Sequence, residues 1–299
     1  MLIGIFFTLL AAFIGAAGFV TLKSGLESAD FRLFILISVV VGIVLTGLIL
    51  WSFGPGLAGL GFHAIYPFLI TGSLGGGLLV RVAMTLSVQE IGASRAHSIT
   101  SAAPLVTVAI GAVFFGNPFT WEMGIGTVLV VVGAAVLSYV SHQRTTEDSG
   151  EVEGNPLKGL GFALYAVLLL GIQPILVSIG IARGVVPLQG LFIRFATAGV
   201  LYGTYMLIAR PDISYSLGRQ TGLFLTAGAA WAISPLFKFY ALTYIPPTVF
   251  SPLFRVGPLF TVFLGFVFLQ DIEKVTWKTA LGTVLVITGA VLVSLFAGG

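Results

Sequence analysis

Apolar residues run along this chain in blocks of about twenty, the length an α-helix needs to cross a bilayer. Ten such blocks can be drawn, at residues 2–22, 31–52, 64–86, 94–116, 121–141, 157–182, 188–209, 221–243, 247–269 and 275–297. The gaps between them are short and rich in turn formers, as in SFGPGLAG, GNPFTW and ARPDIS. No stretch alternates polar and apolar positions as a membrane β-strand does. The pattern predicts an all-α integral membrane protein with ten transmembrane helices.

One gap is unlike the others. SHQRTTEDSGEVEGNPLKG, at 141–159, is the longest polar stretch and falls almost at the middle of the chain. It divides the sequence into a first repeat at 1–141, a linker at 142–156 and a second repeat at 157–299, each repeat holding five spans. The two repeats resemble one another. Pro104 aligns with Pro258 and Thr107 with Thr261; GTVLV at 126–130 matches GTVLV at 282–286, and Gly133 matches Gly289. Five is odd, so the second repeat enters the membrane from the opposite face. The expected architecture is a 5+5 inverted repeat, which secondary transporters use to place a substrate near the midplane.

Composition removes several alternatives. Hydrophobic residues make up 57% and charged residues 8% of the chain, where a soluble domain carries about 25% charged. The absence of cysteine excludes a disulfide, a thiolate metal site and a cysteine nucleophile. His63, His97 and His142 are too scattered to suggest a metal site, and no cofactor is expected. A net charge of +3 without a basic run gives no reason to expect nucleic-acid binding. GSLGGGLL at 72–79 lacks a following Gly-Lys-Ser/Thr, so it reads as close helix packing, not as a phosphate loop. GAAVL and GAVLV in the fifth and tenth spans read the same way, and could form a homodimer face. The first span starts without a basic region and reads as a retained helix.

The stretch ALTYIPPTVFSPLFRVGPLFTVFLGFVFLQDIEKVTWKTALGTVLVITGAVLVS resembles the end of an EamA domain, and TLSVQEIGASRAHSITSAAPLVTVAIGAVFFGNPFTWEMGIGTVLVVVGAAVLS ends the first half similarly. Two such domains resemble the drug/metabolite transporter superfamily. The resemblance implies a ten-helix carrier whose relatives move amino acids, sugars, phosphorylated metabolites, lipids and drugs. One departure is FFGNPFTW, where the family often has an acidic residue after the fourth helix. Lys23, Arg32, Arg95, Arg144, Lys158, Arg210, Arg219, Lys274 and Lys278 gather on one side and Arg183 on the other. The positive-inside rule then puts both termini outside, whereas the resemblance implies termini in the cytoplasm.

Four cations fall within spans: Arg81, Arg194, Lys238 and Arg255. A charge near the bilayer centre costs roughly 2.5–3.5 kcal/mol even on the translocon scale. Lys238 is five residues from its span end, about 7.5 Å at 1.5 Å per residue, and within reach of the headgroups. Arg81 is similarly placed, and Arg194 reads as structural. Arg255 lies eight residues into its span, about 12 Å deep, so it should face a cavity or a protein interior. All the acids sit at helix ends or in loops. Its partner is therefore either backbone carbonyls freed by Pro252 and Pro258 or an anionic substrate. Gln173 beside Pro174, Trp231, Ser234 beside Pro235, Tyr240, Ser251 and Ser101 could complete a cavity wall, and His97 is a candidate proton carrier. The substrate-binding candidates are thus Arg255, Ser251, Trp231, Ser234, Lys238, Tyr240, Gln173, His97, Ser101 and Arg81.

The function this supports is secondary transport of a small metabolite, an organic anion or amino acid, across the cytoplasmic membrane. The partners are that small molecule and the lipid bilayer. A lipid-linked substrate, an intramembrane enzyme and a structural membrane subunit stay open as alternatives, although paired acids or an activated nucleophile for an enzyme are not visible.

Overall fold

The computed structural model describes residues 1–25, 31–74, 78–117, 119–143, 155–209, 219–268 and 277–296. Its helices are α1 (Leu2–Gly25), α2 (Phe31–Phe53), α3 (Phe62–Leu74), α4 (Leu78–Ile91), α5 (Ala93–Thr100), α6 (Ala103–Phe115), α7 (Trp121–Gln143), α8 (Pro156–Ala182), α9 (Pro187–Ala209), α10 (Arg219–Tyr244), α11 (Pro247–Phe254), α12 (Gly257–Phe268) and α13 (Trp277–Phe296). No strand occurs among the described residues. Helices satisfy every backbone group within the segment, as lipid requires. Many hydroxyls do likewise: Thr8, Ser38, Thr46 and Thr127 each donate to the carbonyl four residues back.

Eight of the described helical stretches are long and apolar enough to cross a membrane, and Leu2–Gly18 is a shorter apolar one. They coincide with the predicted spans except the first and the third. The third is represented by α3 and α4, which flank residues 75–77, outside the described set. Large apolar side chains such as Trp51, Phe114, Ile208 and Leu295 are exposed on the outer surface. In water such a surface would aggregate, whereas acyl chains solvate it without cost.

Two predicted spans, 94–116 and 247–269, are each split in two. α5 gives way to α6 at Ser101–Ala102, and α11 to α12 at Arg255–Val256. Pro104 and Pro258 explain both interruptions. Each lacks the N–H that would bond four residues back, and its ring crowds that carbonyl, at Thr100 and Phe254 respectively. The chain tightens at the breaks: Arg255 N donates to the Pro252 carbonyl at 3.0 Å and Val256 N to that of Leu253 at 3.2 Å. Ala102 N donates likewise to Ile99 at 3.0 Å.

Packing follows the same correspondence between halves. α1 packs on α10, as α8 packs on α3 and α4; α1 meets α11 and α12, as α8 meets α5 and α6. α2 against α10 is matched by α9 against α3, while α7 against α13 maps onto itself. The α7–α13 seam is built on glycine. A Cβ on Gly133 would stand 2.7 Å from the Gly282 carbonyl, and one on Gly289 2.5 Å from that of Gly126. These glycines are the ones expected to form a homodimer face, and here they face each other within one chain.

The largest apolar core joins the starts of α3 and α9, the ends of α8 and α10, and α11. Phe68, Val177, Leu191, Phe239, Val249 and Leu253 lie in it, with Ile5 and Phe7 of α1 packed alongside. In a chain that runs up and down, all of these helix ends lie on one side. Packing there is solid.

Candidate functional site

Beyond that core, toward the other ends of the helices, a cavity of about 390 Å³ opens. Phe195 of the core and Phe254 packed against it form the floor. Both halves of the chain supply the walls. α1 contributes Ala12, Gly15 and Ala16; α2 contributes Ser38 and Val39; α5 and its C-cap contribute His97, Thr100 and Ser101; α7 contributes Leu137 and Ser138. The second half contributes Arg194 from α9, Trp231, Ser234, Pro235 and Lys238 from α10, and Phe254 to Thr261 around the α11–α12 break. Arg255 follows the last residue of α11, at the break before Pro258, and lines the cavity there.

Three cations line this space: Arg194, Lys238 and Arg255. The Lys238 Nζ sits 4.0 Å above the centre of the Phe254 ring, and the Arg194 guanidinium lies 5.8 Å from that of Phe239. The side chains of Lys238 and Arg255 make no hydrogen bond or ion pair with a described residue, and no carboxylate is among the lining residues. The described acids, Glu90 and Glu122, lie at the end of α4 and the start of α7. The lining hydroxyls are largely committed to backbone: Ser234 donates to the Ala11 carbonyl at 2.8 Å, Ser101 and Thr100 to that of His97 at 3.1 and 3.0 Å. Ser38 and Thr261 donate to Phe34 and Gly257 at 2.7 and 3.2 Å. Net positive charge is therefore the cavity's dominant chemical feature. Trp231, edge-on to Phe34 at 5.2 Å, supplies an aromatic wall.

Of the residues expected from sequence, Arg255, Lys238, Trp231, Ser234, His97 and Ser101 come together here. Three do not line the cavity. The Ser251 hydroxyl pairs instead with Thr107 at 3.0 Å, and Thr107 in turn reaches the Gly171 carbonyl at 2.8 Å. The Tyr240 ring packs at 6.0 Å against Phe7. Gln173 lies away from the cavity, its Nε2 buried without a hydrogen-bond partner. Arg81 belongs to α4, and its side chain is outside the described set. Lys238 lines the cavity with its Nζ over the Phe254 ring, where the sequence suggested reach to the headgroups. Arg194, expected to be structural, is a lining residue that the sequence reading missed. The available signal was its charge, the same one that singled out Arg255.

A helical surface built for lipid, two broken helices and a charged cavity between two matching halves define a multi-pass membrane transporter. The profile of the EamA-like transporter family matches residues 2–139 and again 157–295. The chain belongs to that family, within the drug/metabolite transporter superfamily. A stretch of 111 residues, 36% of the chain, is 32% identical to adenosine 3'-phospho 5'-phosphosulfate transporter 2 of Anopheles gambiae. The match spans 29% of that protein's own length. A solved crystal structure aligns over 98% of both chains with a TM-score of 0.80 at 15% identity, a likeness of fold.

Proposed function

We propose that this protein is a secondary transporter of a small organic anion, working by alternating access at the cavity between its two halves. The observation that carries the reading is the cavity itself: three cations and no carboxylate among the lining residues. Taking charges such as those of Lys238 and Arg255 out of water costs several kcal/mol per ion, and a partner that neutralises them recovers it. A substrate carboxylate or phosphate supplies that partner, and arginine's planar fork suits either. The volume of about 390 Å³ falls within the roughly 300–1,000 Å³ of small-molecule sites. The named cargo of the mosquito relative is itself an anion. The ten-span, 5+5 inverted repeat belongs to this reading, supported by the exchange symmetry of the helix contacts, and the cytoplasmic membrane is part of the same proposal.

The test is a thermal-shift screen of purified protein against carboxylates, phosphates, amino acids and neutral compounds, repeated on Arg255→Ala. Anions should raise the melting temperature of the wild type and lose most of that effect in the variant. Stabilisation by neutral compounds alone, equal in both proteins, would sink the proposal.

A further inference from the structure

We infer that the transported anion carries at least two negative charges, and that Lys238 is the residue that selects for the second. This rests on the anion-transporter reading and narrows it. All three lining cations come from the second half of the chain, on α9, α10 and the α11–α12 break. The first half lines the cavity with uncharged residues and one titratable side chain, His97. The permanent positive charge of the cavity therefore comes entirely from the second half.

Arg194 and Arg255 line the same cavity as the Lys238 ammonium and carry the same sign of charge. The Phe254 ring face at 4.0 Å is the partner the structure gives Lys238, and a quadrupole answers only part of a full charge. A monoanion entering this space pairs with one cation and leaves the others repelling each other. A zwitterionic amino acid does worse, because it brings its own ammonium into the same field. A dicarboxylate or a phosphomonoester places two negative charges against the cations and its carbon skeleton against apolar lining residues such as Ala12, Ala16 and Val39. Arginine takes one oxyanion through its fork, while the compact lysine ammonium acts as a point charge on the other. Dicarboxylates and phosphomonoesters share this requirement, and the assay separates them.

Binding of succinate, glycerol 3-phosphate, butyrate and glutamine is measured by calorimetry on the full-length protein in detergent. The wild type should bind succinate or glycerol 3-phosphate at least about tenfold more tightly than butyrate, with glutamine weakest. Lys238→Gln should lower dianion affinity by about tenfold or more while leaving butyrate within about twofold. Lys238→Arg, which keeps the charge, should retain the dianion preference and controls for folding. Equal binding of butyrate and the dianions by the wild type overturns the charge requirement yet leaves the anion reading intact. Loss of all anions equally in Lys238→Gln, with Lys238→Arg unaffected, overturns the selective role of Lys238. Binding of glutamine and none of the anions overturns both readings.

Discussion

Phe68 occupies a slot that two glycines make. Its ring lies against Gly180 of α8 and Gly190 of α9, where any Cβ would collide with it, and it meets Phe239 at 5.7 Å. The side chain is fully buried, so Phe68→Ala leaves a void that rigid helix backbones cannot close. The expected cost is about 3–5 kcal/mol, seen as a lower melting temperature. Phe68 does not line the cavity, so anion-induced stabilisation should persist in the variant. Loss of anion binding without loss of stability would contradict this assignment. Residue by residue, depth in the membrane was legible from position along a span, which is how Arg255 stood out. The direction a side chain takes around the helix was not. Tyr240 and Lys238 are two residues apart on α10, yet Lys238 faces the cavity and Tyr240 packs on Phe7.

At the scale of elements, the break before Pro258 carries Arg255 on the cavity wall. Pro258→Ala restores an N–H and removes the ring, so α11 and α12 can join into one helix. Thermal stability should hold or rise, because a helix interior tolerates alanine about 3 kcal/mol better than proline. Transport in proteoliposomes should fall by about tenfold or more, equivalent to about 1.4 kcal/mol of barrier, since joining the helices re-aims Arg255. Unchanged transport would show that the break is incidental. The spans themselves were readable from hydrophobic runs, and the proline register announced matching features in both halves. That the matched prolines divide their helices in two was not read. A proline inside an apolar run either kinks or breaks it, and the outcome depends on what packs around the freed carbonyls.

The whole molecule, as it stands, is packed at one set of helix ends and open beyond them. Because the native chain has no cysteine, a single one reports directly on access. Thr261→Cys, on the cavity wall, should react with a membrane-impermeant thiol reagent from one side only, and a bound anion should slow it. Val249→Cys, fully buried in the core, should react only when the transporter turns to its other face. Rapid labelling of Val249→Cys with protected Thr261→Cys would mean the resting protein favours the opposite orientation. Duplication with an odd number of spans pointed toward this arrangement from sequence. Which face the chain closes was beyond sequence, because it depends on a balance between two packings of the same residues.

On the proposed reading, a cavity walled by cations with no carboxylate among its lining residues also bears on what would drive a dianionic cargo. The fixed charges stay in the protein while the negative charge crosses, so unpaired passage of a dianion is a current. Two charges crossing 100 mV exchange about 4.6 kcal/mol with the field, more than a thousandfold in concentration ratio. In a cell with a negative interior, that force would drive such a dianion out of the cytoplasm. Accumulation inward would require another anion to leave in return, and a one-for-one swap of equal charges would be electrically silent.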